Sequence, residues 1–586
     1  MFSKVLVANR GEIAIRVFRT LREMGISSVA VYSEADRDAP FLRRADEAYL
    51  IGPGPAAQSY LMGETIIRTA LRSGAEAIHP GFGFLAENAG FARACAAAGL
   101  VFVGPPPEAM EVMASKTGAR RAMAAAGVPI VPGVTDPVET VEAARRIAGE
   151  IGYPLVVKAA AGGGGKGIKV VREAGELEPA YESARREGRA YFADDTVYLE
   201  RYLDDPRHIE VQVLADQHGN VVHLGERDCS IQRRHQKIVE ETPSPAVSPE
   251  LRERIGRIGV DAARAVGYTN AGTVEGLLAA DGTYCFLEMN TRLQVEHTIT
   301  EQVTGLDLVR EQLWIAAGRP LRWTQEQVHL RGHAIQCRIN AEDPARGFVP
   351  TPGLITRYRE PAGPGVRVDS GVEEGAEISE LYDPMVAKLI VWDEDRELAR
   401  RRMLRALAEF EVGGVRTLIP LHQAILDRPE FIAGGSLAAF VEGGGYVDSL
   451  ADGDREPAPN GTLEAAARRV GETVVTEVDG KRFEVTVTVP EHPGRLRLRL
   501  RRASLAARGS SVHGGVDVVR STMQGTVLKV AVAAGERVEP GTVLAVVEAM
   551  KMENEIVAPH AGEVERVEVA AGDQVASGQA LVRLVV

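Results

Sequence analysis

Residues 525–546 repeat at 562–583 with an offset of 37, and the hexapeptide Glu548-Ala549-Met550-Lys551-Met552-Glu553 lies between the copies. Gly525 matches Gly562, Val527 matches Val564, Val530 matches Val567 and Val532 matches Val569. The match continues through Gly535/Gly572, Val538/Val575, Gly541/Gly578 and Leu544/Leu581. Short β runs separated by glycine turns, used twice, predict two half-sheets, each too small to bury its apolar face alone. The expected product is an all-β flattened sandwich over 516–586. Lys551 falls where a tight turn joins the copies. A lysine at that tip is a surface amine presented to another protein; the plainer alternative is an ordinary hairpin with an exposed lysine.

The rest of the chain is mixed α/β. At 586 residues it has length for roughly four domains. Apolar content of 45% and charged content of 25% describe a globular protein. A net charge of −13 argues against nucleic acid or an anionic membrane as the main partner. Cys95, Cys229, Cys285 and Cys337 are scattered without a CxxC pair, as in a reduced cytosolic protein. The opening residues lead directly into the apolar run 5–8, with no signal or transit segment, and no stretch reaches membrane-spanning length. The expectation is a cytoplasmic protein.

Residues 4–8 read as a strand. Ile13, Val17 and Leu21 then recur at helical spacing up to Gly25, and 28–32 is a second strand. This βαβ start predicts a parallel sheet, and a second such segment contains Ala77-Ile78-His79-Pro80-Gly81-Phe82-Gly83-Phe84. Residues 155–159 form a further apolar strand, and mixed α/β patterning continues from about 330 to 445. A Gly-, Pro- and acid-rich stretch at 443–462 marks a boundary. Residues 473–501 read as a small β unit with Asp479-Gly480 as a hairpin turn. There Phe483, Val485, Val487 and Val489 alternate with polar residues, and Leu496, Leu498 and Leu500 alternate with Arg495, Arg497, Arg499 and Arg501. The arginine row is either a docking face or a solvated edge strand. Residues 502–515 read as a flexible linker.

The run Gly162-Gly163-Gly164-Gly165-Lys166-Gly167 follows a strand, so its backbone N–H groups can approach phosphate oxygens. It is not a P-loop, because Lys166 is followed by Gly167 rather than Ser or Thr. Alone, it reads equally well as a mobile surface loop. Downstream, 270–280 and 283–290 read as strands around Asp281-Gly282, a two-residue hairpin turn. That turn sets Glu275 opposite Glu288, with Asn290 on the same face. Facing carboxylates are unfavourable unless a cation compensates, and Mg²⁺ suits such oxygen donors; two solvated carboxylates are the alternative. Continued extension would put Asn290, Arg292, Gln294 and Glu296 on one side, where they could hold a small anion such as bicarbonate and remove its proton, or simply form a polar face.

Several motifs together resemble biotin carboxylase. They are Val7-Ala8-Asn9-Arg10-Gly11-Glu12-Ile13-Ala14, His79-Pro80-Gly81, the glycine run, Glu226-Arg227-Asp228-Cys229-Ser230 and Gln232-Arg233-Arg234-His235-Gln236-Lys237. Glu288-Met289-Asn290-Thr291-Arg292, Arg331-Gly332-His333-Ala334 and Cys337-Arg338-Ile339-Asn340-Ala341-Glu342 complete the set. The Met-Lys-Met tip resembles biotinyl domains, and the whole resembles the α subunit of bacterial acetyl-/propionyl-CoA carboxylases. The resemblance implies a Rossmann-like N-terminal domain over 1–115, an ATP-grasp domain with a mobile glycine lid over 116–330 and a carboxylase C-terminal domain over 331–445. A linker with a small β unit over 446–515 and the biotinyl domain over 516–586 follow.

It also implies roles for single residues. Lys551 carries biotin. Lys116, Lys158 and His208 contact ATP phosphates or ribose, under Gly163, Gly164, Gly165, Lys166 and Gly167. Glu200 and Leu203 border the adenine. Gln232 and His235 also belong to the nucleotide site, and Lys237 lies near the γ-phosphate. Glu275, Glu288 and Asn290 hold Mg²⁺, or Mn²⁺ in its place. Arg292, Gln294 and Val295 bind bicarbonate with Glu296 as its base, and Arg338 stabilises the biotin enolate. Phe82 and Gly276 depart from the family pattern, which has Tyr and a bulky apolar residue there. Implied partners are a carboxyltransferase β subunit on a separate chain, a biotin protein ligase and a second copy through the carboxylase part. Fatty acid biosynthesis is the implied setting; methylcrotonyl-CoA or pyruvate systems, or a catalytically vestigial carrier, are alternatives.

Overall fold

The computed structural model describes residues 1–134, 137–159, 168–192, 195–233, 236–437, 440–441, 443–446, 469–478, 481–490, 517–521, 525–549, 552–576 and 578–585. The chain forms two compact units, 1–453 and 454–586. Among the described residues no helix is long and apolar enough to cross a membrane.

The first unit opens with a parallel sheet ordered Glu47–Gly52, Ser27–Ser33, Lys4–Val7, Ala77–His79, Val101–Phe102. Its central strand buries Val5, Leu6 and Val7 completely, as expected of a strand covered on both faces. Helix Gly11–Glu23 packs there through Ile13, Val17, Phe18 and Leu21. It ends at Gly25, whose φ of +70° suits glycine.

Strand Leu155–Ala159 is the middle of a three-stranded antiparallel sheet with Ile168–Val171 and Val197–Arg201. Helices Val141–Ile151 and Leu177–Phe192 accompany this sheet. The glycine run 162–167 connects two of its strands and lies outside the described residues.

The largest sheet has eight strands, ordered Tyr284–Asn290, Asn270–Leu278, Arg207–Ala215, Val221–Arg233, Gln236–Thr242, His333–Asn340, Met385–Asp393, Val366–Ser370. It runs unbroken across residue 330, because Gln236–Thr242 pairs with His333–Asn340. Residues from both sides of that point therefore share one surface.

Two expectations need correction here. The hairpin turn at Asp281-Gly282 is not a two-residue turn. Ala279 N–H donates to the Thr283 carbonyl at 2.9 Å, leaving Ala280, Asp281 and Gly282 as a three-residue loop with Gly282 at φ +82°. This shifts the register by one, so Gly276 faces Phe286. Leu287 is then an extra residue, a bulge that shifts it back, and Glu275 faces Glu288 as expected. The second correction concerns 290–296. The strand stops at Asn290, the next residues are irregular, and Glu296 is the N-cap of helix His297–Thr304.

The second unit holds a strand pair, Arg469–Val478 with Arg469 opposite Pro490 and Val478 opposite Lys481. The register leaves Asp479 and Gly480 as connectors; they, and 491–516, lie outside the described residues. The repeat builds two four-stranded sheets: Asp517–Arg520, Ala580–Val585, Gly562–Val567, Arg537–Val538, and Met552–Val557, Val543–Ala549, Gly525–Val530, Gln574–Val575. The expectation of one half-sheet per copy is corrected, because each sheet takes strands from both copies. The exchange is symmetric: Gly535 N–H donates to Val564 O at 2.7 Å, and Gly572 N–H to Val527 O at 2.7 Å. The matched apolar pairs Val527/Val564, Val538/Val575 and Leu544/Leu581 fill the core between the sheets.

Candidate active site

The Lys237 ammonium is the hub of the site. It lies 2.9 Å from Glu275 Oε1 and 2.7 Å from Glu296 Oε1, and also donates to Glu210. Strand Gln236–Thr242 delivers Lys237, strand Asn270–Leu278 delivers Glu275, and the cap of a helix delivers Glu296. Burial disfavours the charge on Lys237, but the three carboxylates outweigh it and raise its pKa far above the ordinary value. Burial likewise opposes ionisation of Glu296, yet Lys237, Arg338 and Arg227 hold it well below the usual carboxylate range. Three cations thus hold Glu296 as an anion against its burial.

Arg338 closes the other side, with Nη2 3.0 Å from Glu296 Oε2 and Nε 2.6 Å from the fully buried Glu240. The irregular chain after Asn290 does what an extended strand would have done. Arg292 donates to Asn290 Oδ1 at 2.8 Å and to Gln294 Oε1 at 2.9 Å, and Gln294 Nε2 donates to Glu275 Oε1 at 2.7 Å. Arg292 Nε also reaches Glu87 at 3.0 Å. The Val295 carbonyl accepts from Lys388 at 3.2 Å.

The hairpin sets Glu275 opposite Glu288 with Asn290 close by. Asn290 Nδ2 lies 2.9 Å from Glu275 Oε1, and His208 Nε2 lies 2.7 Å from Glu275 Oε2. Burial opposes the His208 charge, but Glu275 raises its pKa. Glu288 reaches solvent, yet the protein around it and then the Glu275 charge push its carboxyl up. A divalent cation between Glu275 and Glu288 would remove that repulsion; Asn290 here turns Nδ2 to Glu275 and Oδ1 to Arg292, and a flip of its amide would present a third oxygen, so the residue types fit Mg²⁺. Two other clusters, His208/Glu210/Glu275 and Glu210/Cys229/Glu296, also bring ligand atoms within 4.8 Å of one another. Both are built on carboxylates that bond the Lys237 ammonium. Glu275 is one of these, so a cation at the hairpin would share it with the lysine, and Glu288 is the carboxylate it would hold apart from that ammonium.

A second group of cations surrounds the small sheet. Lys158 donates to Glu200, which also accepts from Arg120 Nη1 at 2.7 Å. Lys116 begins helix Lys116–Ala125, whose N-cap Ser115 accepts from Gly118 N–H at 3.1 Å. Burial lowers the Lys116 pKa, the Glu288 charge opposes this, and nearby Lys158 adds to it. Leu203 is half-buried, and Gln232 Nε2 donates to the Cys229 carbonyl at 3.1 Å. His235, Gly163, Gly164, Gly165, Lys166, Gly167 and Lys551 lie outside the described residues. The register of Val543–Ala549 with Met552–Val557 ends at Ala549 opposite Met552, so Met550 and Lys551 are the connectors. Gly276 has a local reason: a Cβ there would meet the Tyr284 ring at 2.3 Å, so Tyr284 fills that volume.

Sequence reasoning missed Glu210, Glu240 and Glu87, and placed Arg227 within a motif without giving it a role. Arg227 is fully buried and donates to Glu210, to Gln212 at 2.8 Å and to Thr300 at 2.9 Å. A signal existed, since His208, Glu210 and Gln212 alternate with Ile209, Val211 and Val213 along one strand.

Four family models match the chain in order: "Biotin carboxylase, N-terminal domain" over 1–110, "Carbamoyl-phosphate synthase L chain, ATP binding domain" over 115–324, "Biotin carboxylase C-terminal domain" over 336–443 and "Biotin-requiring enzyme" over 517–584. A pyruvate carboxylase subunit from Methanothermobacter thermautotrophicus is 55% identical over 442 residues, 75% of this chain and 90% of that protein. The biotin-dependent acyl-coenzyme A carboxylase alpha3 subunit of Mycobacterium leprae is 45% identical over 592 aligned residues, 99% of this chain and 98% of that one. Among solved structures, the biotin carboxylase domain dimer of Hydrogenobacter thermophilus 2-oxoglutarate carboxylase is 49% identical. It covers 76% of this chain and 98% of its own with a TM-score of 0.72, and was solved with MgADP, ADP and bicarbonate. Fold and site thus define an ATP-grasp ligase joined to a biotin-bearing domain. The chain belongs to the biotin carboxylase family and catalyses the ATP-dependent carboxylation of biotin.

Proposed function

We propose that this chain is the α subunit of a biotin-dependent acyl-CoA carboxylase of the acetyl-/propionyl-CoA type. The observation that carries this reading is the end-to-end alignment with the Mycobacterium leprae acyl-CoA carboxylase subunit, through the segment between carboxylase and biotinyl parts. The likeness to the Methanothermobacter pyruvate carboxylase protein spans only 75% of the chain, so it speaks to the half-reaction that all these systems share.

The domains are read as 1–115, 116–330, 331–445, 446–515 and 516–586. Bicarbonate is a poor electrophile, and ATP activates it as carboxyphosphate. Lys116, Lys158 and His208 neutralise the phosphates beneath the glycine lid, with Lys237 near the transferring phosphoryl group. Glu200, Leu203, Gln232 and His235 hold the rest of the nucleotide. Glu275, Glu288 and Asn290 hold Mg²⁺, which supplies Lewis-acid charge to the phosphates. Arg292, Gln294 and Val295 orient bicarbonate, and Glu296 takes its proton. Carboxyphosphate breaks down to CO₂ and phosphate; the phosphate would take the proton of the ureido nitrogen of biotin on Lys551, and that nitrogen then bonds CO₂. Arg338 stabilises the negative charge of the biotin enolate, and lid closure keeps water from the labile carboxyphosphate.

The carboxyl group then passes to a separate carboxyltransferase β subunit, with 473–501 as its docking region. A biotin protein ligase modifies Lys551. The carboxylase part self-associates, as the Hydrogenobacter relative does in its dimer, and the setting is cytoplasmic. The test is to copurify the partner and assay a panel of acyl-CoAs. Activity on acetyl- or propionyl-CoA supports the reading; activity on pyruvate or methylcrotonyl-CoA alone overturns it. Absence of bicarbonate-dependent ATP hydrolysis by the isolated chain would instead indicate a vestigial carrier.

A further inference from the structure

We infer that Lys388 is a positioning residue for the bicarbonate site, fixing the backbone that presents Glu296. This rests on the proposed reading of 292–296 as that site. Lys388 is fully buried in strand Met385–Asp393, directly opposite Arg338 on one side and Asp369 on the other. The three therefore stand in one row across the sheet. Arg338 uses its side chain on Glu240 and Glu296. Lys388 Nζ lies 3.0 Å from Glu12 Oε2 and donates to the Val295 carbonyl at 3.2 Å, with Asp369 Oδ2 at 4.0 Å.

A buried lysine needs a carboxylate partner, and Glu12 meets that need. The bond to Val295 is the informative one. Residues 291–296 follow the end of a strand and have no ladder partner. Val295 immediately precedes Glu296, so the two cations grip the same two residues: Lys388 takes a backbone oxygen and Arg338 a carboxylate oxygen. The grip is anchored from outside the site. Glu12 lies in the first turn of helix Gly11–Glu23, and Gly371 packs so closely there that a Cβ would lie 2.7 Å from the Glu12 nitrogen. Lys388 also lies 5.7 Å from the centroid of the Phe82 ring. The position of Val295 is thus set jointly by the N-terminal and C-terminal parts of the carboxylase.

The full-length chain carrying Lys388→Met tests this, with Glu12→Gln/Lys388→Met beside it. The single change leaves Glu12 as an unpaired buried carboxylate and should lower the melting temperature; the double change removes both charges and should restore it. For a positioning role, kcat/KM for bicarbonate falls about 100-fold in both variants, the cost of roughly 1 Å of misplacement, while KM for MgATP stays near wild type. Recovery of bicarbonate kcat/KM together with stability in the double variant would make Lys388 a strut and overturn the inference. Normal bicarbonate kinetics in the single variant would overturn it too. Glu296→Gln in the same assay separates this from the parent reading: normal turnover there refutes the base assignment, whatever Lys388→Met does.

Discussion

Glu275 and Glu288 face each other across a hairpin because two one-residue shifts cancel. The three-residue loop displaces the register, and the bulge at Leu287 restores it. Placing two carboxylates against each other costs stability unless something intervenes. The bulge gives that pairing a local structural origin, beside Asn290 and His208.

Glu288→Gln removes the charge repulsion and one oxygen anion. Mg²⁺ half-saturation of ATP hydrolysis should rise by about tenfold or more, since the remaining donors are fewer and less charged. A titration of rate against free Mg²⁺ measures this. An unchanged midpoint would place the metal elsewhere.

Glu296→Gln should leave ATP binding nearly intact and slow bicarbonate-dependent turnover by about two to four orders of magnitude, the usual span for a lost acid–base group. Steady-state kinetics with nucleotide binding measured in parallel gives the answer. Wild-type turnover would put proton removal on another group.

Lys551→Arg should yield a chain lighter by one biotin, with Met550 and Met552 intact. Intact-mass measurement after expression with a ligase reads this directly. Biotin persisting in the variant would mean that another lysine carries it.

Glu342 is fully buried, and burial followed by the charge of Asp383 pushes its carboxyl up to about 7. The folded state therefore holds this proton over a range, from about 4.5 upward, where the unfolded chain releases it. Stability contributed by the neutral form is complete below that range and is lost as pH rises to about 7. The loss is about 3 kcal/mol at most. Glu342→Gln should match wild type near pH 5 and melt higher at pH 8. Parallel melting curves for the two proteins across that range would show that Glu342 titrates normally.

The sequence was informative where spacing is local. The helix from Gly11, the strand Leu155–Ala159 and the doubled strand pattern around Lys551 follow from periodicity and turn chemistry. Glu275 and Glu288 were paired correctly on an incorrect turn, because nothing in residues 279–288 announces a bulge that compensates a longer loop. The convergence of Asn290, Arg292, Gln294 and Glu296 was foreseen from alternation, but the backbone that achieves it is irregular. Glu240 was invisible for a different reason: its partner Arg338 is 98 positions away, and only the sheet order brings them together. Lys388 was hidden likewise, since a lysine in an apolar strand reads as surface until Glu12 is found beside it.

The exchange of strands between the two repeat copies bears on when Lys551 can be modified. Its hairpin lies in a sheet whose edge is Gln574–Val575, and the opposing sheet contains Gly562–Val567 and Ala580–Val585. All of these leave the ribosome after Lys551. The first copy alone cannot assemble either sheet, so the lysine emerges on an unfinished scaffold. If the proposed ligase acts on the folded domain, it must wait for the second copy, and attachment of biotin to Lys551 would then report that the whole sandwich has closed.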